Sequence, residues 1–152
     1  MIREATESDI PQLVEMARAM HAESPRYQNK QFDEGVTAQF INILISGSDF
    51  CVFVSGIASD LTGMIGCSVS PFFFSFVDKY ACDVGFYVKP EHRGGGSALK
   101  LIKAYEDWAL EKGVLPEDIT LGVSCENKKL GELMTKMGYT QSGELYRKNG
   151  KV

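Results

Sequence analysis

The chain has 152 residues, a mass of 16.8 kDa and 44% hydrophobic residues, which suits one core in a domain of ordinary size. Its net charge of −4 argues against a general binder of nucleic acid or anionic membranes, since both reward a basic surface. The acidic N-terminal segment lacks the cationic start of a secretory leader, and no apolar run reaches the ~20 residues of a membrane helix. Four widely spaced cysteines without a CxxC pair favour buried free thiols, no metal site and a cytoplasmic location.

The first half of the sequence predicts a strand, two helices and a hairpin. A short strand, IREAT, precedes a helix that Ser8 or Asp9 caps and that has Pro11 in its first turn. A second helical pattern runs from Asp33 to about Ile45. The segments DFCVFVSG and LTGMIGCSVSPFFFSF then read as strands, which indicates an antiparallel hairpin.

The second half of the sequence alternates strands with helices. A strand, YACDVGFYV, is followed by an amphipathic helix that Ser97 opens and Gly113 ends. A strand, DITLGVS, a shorter helix ending at Gly138 and a closing strand or hairpin, YTQSGELYRKNG, complete the chain. The order βααββ followed by βαβαβ predicts a mixed α/β sandwich, in which the strand–helix–strand unit implies a parallel pair.

Three consecutive glycines, Gly94, Gly95 and Gly96, occupy the turn between a predicted strand and a predicted helix. The first amides of a helix have no internal partner, and glycine lets successive amides curl around an anion, so the turn predicts a phosphate or pyrophosphate site. It lacks the lysine of a P-loop, and Leu99 stands where a dinucleotide fingerprint needs its third glycine. A flexible surface turn remains an alternative.

The residues around these glycines resemble the acetyl-coenzyme A loop of the GNAT superfamily of N-acetyltransferases. That loop is usually Arg/Gln-x-x-Gly-x-Gly/Ala after a strand ending in Val-x-Pro, and the matching positions here are Val88, Pro90, Arg93, Gly96 and Ala98. The segment NKKLGELMTKMGY is similar to a second stretch of the family, with matches at Asn127, Leu133, Lys136, Gly138 and Tyr139. The opening segment and the order of elements also agree with the family.

The resemblance implies a GNAT-like fold formed as a single domain over residues 1–152. In such a fold a central mixed, twisted sheet of six to seven strands is flanked by about four helices, and the fourth and fifth strands splay apart to admit the pantetheine arm of acetyl-CoA. The implied coenzyme-binding residues are Phe86, Tyr87, Val88, Arg93, Gly94, Gly95, Gly96, Ser97, Ala98 and Asn127.

The resemblance also implies direct attack of an amine on the thioester of acetyl-CoA, without a metal. The backbone amide of Val88 is then the candidate donor to the oxyanion, and Asp83 is the candidate general base. A strand carboxylate without a catalytic role remains an alternative for Asp83, and Glu126 is a second candidate base. Met134 stands where the family usually has a tyrosine that protonates the leaving thiolate; Tyr87 or Tyr139 could replace that acid, although both fit core or strand positions.

Other functions remain open from the sequence. A CoA- or acyl-CoA-binding module that has lost catalysis is compatible with Met134. A partner-binding protein is compatible with the aromatic segment from Phe72 to Phe76, which could also line an acceptor cleft or a homodimer contact. The expected partners of the enzyme are an amine acceptor, either a small molecule or a peptide, and neither nucleic acid nor membrane.

Overall fold

The computed structural model describes residues 1–123 and 127–150. They divide into two compact units, Met1–Gly122 and the remainder from Val123. The single domain over 1–152 stays a prediction. The elements of the first unit are β1 (Ile2–Glu4), α1 (Ile10–Glu23), α2 (Glu34–Ser46), β2 (Phe50–Ile57), β3 (Asp60–Pro71), β4 (Lys79–Val88) and α3 (Ser97–Glu111). The second unit contains helix α4 (Lys128–Lys136).

The sheet of the first unit has the order β1-β2-β3-β4 with every neighbouring pair antiparallel. Its residues alternate between two apolar cores, as expected for strands covered on both faces. Helices α1 and α2 pack on one face, against the side chains Val52, Val54, Leu61, Met64 and Tyr87. Helix α3 packs on the other face, against the side chains Phe53, Ile65, Cys67, Val69, Ala81 and Val88.

The helices follow the predicted patterns closely, and side-chain caps or left-handed glycines mark several of their ends. The Asp33 carboxylate accepts the Val36 amide at 2.8 Å and begins α2. Gly113 and Gly138 adopt left-handed φ angles of +86° and +90° beyond α3 and α4. The predicted mixed α and β composition with four helices is therefore confirmed.

The sheet is smaller than predicted. The described residues form four strands in place of the six to seven expected, and the described part of the segment DITLGVS, residues 118–123, contributes only an isolated parallel bridge between Ile119 and Ala81. No strand occurs in the described part of the closing segment, 139–150. Its apolar side chains Leu145 and Tyr146 are exposed, so burial does not favour strand pairing there.

The aromatic segment also departs from the prediction, because β3 ends at Pro71 and the following phenylalanines form the turn to β4. Phe72 stacks on Phe74 and contacts the ring of Tyr80, with ring centroids 5.3 and 5.2 Å apart. Phe73 and Phe76 are fully exposed. The Phe72 amide still bonds the Asp78 carbonyl, and the chain turns beyond it because the Ser75 amide bonds the Phe72 carbonyl, each at 3.1 Å.

Cys51 and Cys67 are buried free thiols, and Cys82 is a half-buried one, as predicted for these three positions. Cys51 and Cys67 lie opposite each other on β2 and β3. Burial raises the pKa of Cys51 to about 12 and raises that of Cys67 as well, so both remain protonated at neutral pH. Cys125 lies outside the described residues.

The N-terminal strand is joined to α1 by a buried ion pair between Arg3 and Asp9. The guanidinium donates to both carboxylate oxygens, at 2.7 and 2.9 Å, and the Asp9 side chain is 3% exposed. The hydrogen bond from Arg3 is the main cause that lowers the pKa of Asp9 from 3.8 to about 2. The pair therefore stabilises the fold above the unfolded pKa, and this contribution is lost as the pH falls through the folded value.

We expect Asp9→Asn to lower the free energy of unfolding by about 2 kcal/mol at pH 7, since one pKa unit corresponds to about 1.4 kcal/mol. The loss should be roughly half as large at pH 3, where part of the wild-type contribution has already gone. Urea unfolding at the two pH values measures both. The control Asp107→Asn breaks an exposed pair with Lys103 within α3 and should change stability little. Equal losses at both pH values would contradict the assignment.

Candidate functional site

The glycine loop, residues 89–96, connects β4 to α3. A short 3-10 turn, Pro90–His92, follows the strand, and Gly94 and Gly96 then take left-handed φ angles of +84° and +86°. Glycine adopts this backbone without the steric cost that other residues incur. No atom lies within 4 Å of the position that a Cβ would take at either residue, so this side of the loop is open.

Six consecutive backbone amides, those of residues 94–99, have no protein acceptor within the described residues. The first hydrogen bond of α3 runs from the Lys100 amide to the Gly96 carbonyl, at 3.1 Å. Ser97, Ala98 and Leu99 therefore form the free N-terminal turn of a 15-residue helix. The partial positive charge of the helix adds to these donors, so the arrangement is suited to an anion.

The side chain of Arg93 is held on the strand side of the loop. Its Nε donates to the Val88 carbonyl at 2.8 Å, and one terminal nitrogen donates to a Glu23 oxygen at 2.8 Å. The guanidinium also lies 5.4 Å from the centroid of the Tyr87 ring. Because these partners hold the side chain and the Arg93 amide bonds the Pro90 carbonyl at 3.2 Å, the free donors of the loop begin at Gly94.

The end of β4 presents main-chain groups at the open edge of the sheet. The Lys89 amide bonds the Thr62 carbonyl, so the next opposed pair, Val88 with Gly63, is a non-hydrogen-bonded pair. The alternation of an antiparallel ladder then directs the amides of Val88 and Phe86 away from β3. Tyr87 is opposite Met64 and directs its main-chain groups toward β3.

A β-bulge interrupts β4 below this edge. Gly66 is opposite Gly85 and Cys67 is opposite Asp83, so Val84 is the extra residue on β4. On the far side, the Thr120 amide bonds the Ala81 carbonyl at 3.0 Å. The neighbouring chain thus pairs with β4 as far as Ala81, and main-chain pairing is not observed beyond that point in the described residues.

The Asp83 carboxylate lies where this pairing stops. One of its oxygens accepts a hydrogen bond from the Gly122 amide at 2.7 Å. The Asp83 side chain thus accepts the bond that a main-chain carbonyl of β4 would accept if the pairing continued. Burial raises the pKa of Asp83, and hydrogen bonds from the Gly122 amide and its own amide offset only part of that effect. A carboxylate with a raised pKa beside an open strand edge is a stronger base than an exposed aspartate.

The Tyr87 hydroxyl does not face the open edge. It donates to Glu23 at 2.8 Å, and its ring packs in the core beneath α1. Burial is the main cause that raises the pKa of Tyr87, and the hydrogen bond to Glu23 raises it further. This geometry does not support Tyr87 as the acid that protonates a thiolate at the edge.

Two predicted residues lie in the second unit. Asn127 caps α4, and its side-chain oxygen accepts the Leu130 amide at 3.1 Å. That bond leaves the side-chain NH₂ group as a donor for a ligand. Met134 is 7% exposed and cannot donate a proton. The second candidate base, Glu126, lies outside the described residues.

A shallow cleft of about 320 Å³ lies beside α1. It is lined by Pro11, Gln12, Glu15, Met16, Ala19, Tyr87 and Lys89. Gln12 is already bonded to the Leu61 amide and the Ala58 carbonyl, at 2.9 and 2.7 Å. The polar groups of the cleft are thus partly engaged in joining α1 to the β2–β3 turn.

Within residues 1–123 and 127–150, no group of three or more histidine, cysteine, aspartate or glutamate side chains is placed to hold a metal ion. The helices of this part of the chain are also too short or too polar to cross a membrane.

Sequence reasoning did not identify Glu23. It is the last residue of α1, and its partners Tyr87 and Arg93 lie 64 and 70 positions further along the chain. A carboxylate at the end of an amphipathic helix ordinarily faces solvent, so no local pattern distinguishes it. Only the packing of α1 beside the end of β4 reveals its contacts.

Solved structures of acetyltransferases share this fold. An aminoglycoside acetyltransferase from an uncultured soil metagenomic sample, in complex with trehalose, has a TM-score of 0.75 and 17% identity over 100% of this chain and 95% of that chain. AAC(6')-Iy, in complex with the bisubstrate analogue CoA-S-monomethyl-acetylneamine, has a TM-score of 0.76 and 16% identity, covering 98% and 97%. A transcriptional regulator from Bacillus halodurans C-125 has a TM-score of 0.78 and 19% identity, covering 98% of both chains.

At identities below 20%, these solved structures show that the fold is shared and nothing more. A separate comparison found no curated protein sequence that matches the chain significantly. The sequence model of the Acetyltransferase (GNAT) family matches residues 14–139. The chain therefore belongs to the GNAT acetyltransferase family. The resemblance found in the glycine loop and in the segment after Asn127 is confirmed.

Proposed function

We propose that this protein is an acetyl-CoA-dependent N-acetyltransferase that transfers the acetyl group to a primary amine of a small molecule or peptide. The amine attacks the thioester directly in a ternary complex, so no acetylated enzyme forms. Membership of the family supports acetyl transfer, and the complex of AAC(6')-Iy with a CoA bisubstrate analogue supports the use of CoA.

The observation that carries the proposal is the row of six free amides at residues 94–99. A diphosphate needs several donors that converge on closely spaced oxygens, and the left-handed glycines allow the main chain to approach such a ligand. In this proposal Gly94, Gly95, Gly96, Ser97 and Ala98 bind the coenzyme diphosphate through their amides. Arg93, whose amide bonds the Pro90 carbonyl, holds the start of the loop in place.

The open edge of β4 suits the pantetheine arm. This arm contains amide groups, and the outward main-chain groups of Phe86 would pair with it as a neighbouring strand would, while the Val88 amide is left for the thioester carbonyl. Tyr87 lies between them and would act indirectly, since its main chain is directed to β3 and its hydroxyl bonds Glu23. Asn127, in the second unit, stays a predicted coenzyme-binding residue.

Chemistry at this edge requires one proton acceptor and one oxyanion donor. An alkyl amine has a pKa near 10.4 and is mostly protonated at neutral pH, so a base must remove a proton before or during attack. Asp83 takes this role in the proposal. The C–N bond forms first and gives a tetrahedral intermediate, whose oxyanion accepts a hydrogen bond from the Val88 amide. The C–S bond then breaks, the carbonyl re-forms and CoA leaves as the thiolate.

The leaving group does not require an acid to depart. A thiol with a pKa near 8.5 leaves as a thiolate far more readily than an alcohol leaves as an alkoxide. Met134 is therefore compatible with turnover, at a cost of about one to two orders of magnitude, near the low end of general acid catalysis. Met134 equally suits a CoA-binding module without catalysis, which is the second candidate function.

Two measurements test the proposal. Isothermal titration with acetyl-CoA should show one site per chain, and CoA release should rise above background with at least one compound of a panel of small amines and peptides. Binding without release on any amine would favour the module. No heat up to millimolar acetyl-CoA would contradict both functions.

A further inference from the structure

The carboxylate of Glu23 joins three elements around the proposed coenzyme site. It is the last residue of α1, one of its oxygens accepts the Tyr87 hydroxyl, and the other accepts Arg93, each at 2.8 Å. We infer that Glu23 is a positioning residue that fixes the glycine loop and the end of β4 for coenzyme binding. This inference rests on the proposed function.

Glu23 acts on the proposed coenzyme site through the contacts of Arg93. The same guanidinium that bonds Glu23 also donates its Nε to the Val88 carbonyl, at 2.8 Å. The amide of Val88 is at the open edge of β4, and Arg93 itself immediately precedes Gly94. A single side chain thus links the proposed oxyanion donor to the start of the glycines, and Glu23 anchors that side chain to α1.

The second contact of Glu23, with the Tyr87 hydroxyl, restrains β4 on the face of the sheet that α1 covers. The Tyr87 ring is buried beneath α1, and its hydroxyl bonds Glu23, while its main chain pairs with β3. Because Tyr87 lies between Phe86 and Val88, a shift of its ring would move both outward amides. Glu23 therefore restrains the proposed binding edge and the proposed diphosphate loop at the same time.

The charge of Glu23 has a separate effect. Burial tends to raise the pKa of Glu23, but the hydrogen bonds from Arg93 and Tyr87 offset it, so the pKa is lowered and the group is ionised at neutral pH. It balances the charge of Arg93 and keeps that side chain on the strand side of the loop. The main-chain amides are thereby left as the principal donors to the diphosphate.

Glu23→Ala tests this role, with Glu34→Ala as the matched control. Glu34 forms a comparable pair with Arg18, at 3.0 Å, on the other side of α1 and without contact to the loop. Both pairs are partly exposed, so the expected effect of losing the Glu23 anchor is modest. Titration with CoA should show about a fivefold higher Kd for Glu23→Ala and an unchanged Kd for Glu34→Ala.

Four further readouts distinguish positioning from loss of stability. The KM for acetyl-CoA should rise with the Kd, while the thermal midpoints of the two ligand-free variants agree within a few degrees. Glu23→Gln keeps the shape and one acceptor oxygen, so it should recover part of the affinity. In a double-mutant cycle, Glu23→Ala should add little to Arg93→Ala, because both changes release the same side chain.

The inference is overturned if wild type binds CoA and Glu23→Ala binds it equally well, or if the Glu34 control weakens binding as much. It is also overturned if the effects of Glu23→Ala and Arg93→Ala are additive. Absence of CoA binding by wild type is a different result, because it refutes the proposed function itself.

Discussion

Replacement of Gly96 by glutamate is expected to raise the Kd for CoA more than a hundredfold while the fold persists. The new carboxylate would stand at the N-terminal end of α3, where the free amides 94–99 would bind it in place of a diphosphate. It would also repel the anionic ligand. Titration of the variant with CoA and with acetyl-CoA measures the loss.

The same helix offers a matched control, because Gly113 also has a φ of +86° and open space at its Cβ position. Glutamate in the left-handed region should cost about 1–2 kcal/mol of stability at either position. Gly113→Glu should therefore reproduce the loss of stability of Gly96→Glu without the loss of CoA affinity. Unchanged affinity in Gly96→Glu would show that the glycine loop does not bind the diphosphate.

Asp83→Asn is expected to lower kcat by about 10² to 10⁴, the usual range for removal of a general base. Asparagine keeps an oxygen that can accept the Gly122 amide, so the local structure should survive. The wild-type rate should fall as the pH drops through the raised pKa of Asp83, since the protonated carboxyl cannot accept a proton from the amine. The variant should lack that limb of the pH profile.

The same substitution should raise stability at neutral pH. The folded-state pKa of Asp83 is raised, so its ionised form is less favourable in the folded protein than in the unfolded chain, and stability falls as the pH rises through that pKa. Asparagine removes this cost. Thermal unfolding at pH 7 should show a higher midpoint together with an unchanged Kd for acetyl-CoA. A variant with the wild-type pH profile would remove Asp83 from the base role.

Local signals were sufficient to predict the helices. Asp33 and Gly113 mark helix ends through short-range geometry, and the apolar spacing between such signals repeats at 3.6 residues. The strands β2 and β3 were equally accessible, because both are apolar runs with strand-forming residues and a tight turn joins them. The over-long prediction of β3 came from the phenylalanines, whose strand propensity did not outweigh the turn in which Ser75 bonds both Phe72 and Asp78.

Whether the later predicted strands form depends on contacts between residues distant in the chain, and no local sequence pattern encodes those contacts. DITLGVS has the composition of a strand, yet beyond Ile119 its amide at Gly122 bonds the side chain of Asp83. The glycine loop was predicted from the sequence because the need for free amides and left-handed backbone is local. Glu23 was missed because its importance comes entirely from Tyr87 and Arg93, which are distant in the chain.

The proposed recognition of the diphosphate by main-chain amides of the glycine loop has an evolutionary consequence. When peptide groups rather than side chains recognise a ligand, most positions around the site can change their chemistry and still support the same interaction. Only the residues that set the backbone path, above all the left-handed Gly94 and Gly96, are restricted. Chains with less than a fifth of their residues in common, such as this one and AAC(6')-Iy, can therefore share one architecture despite extensive divergence.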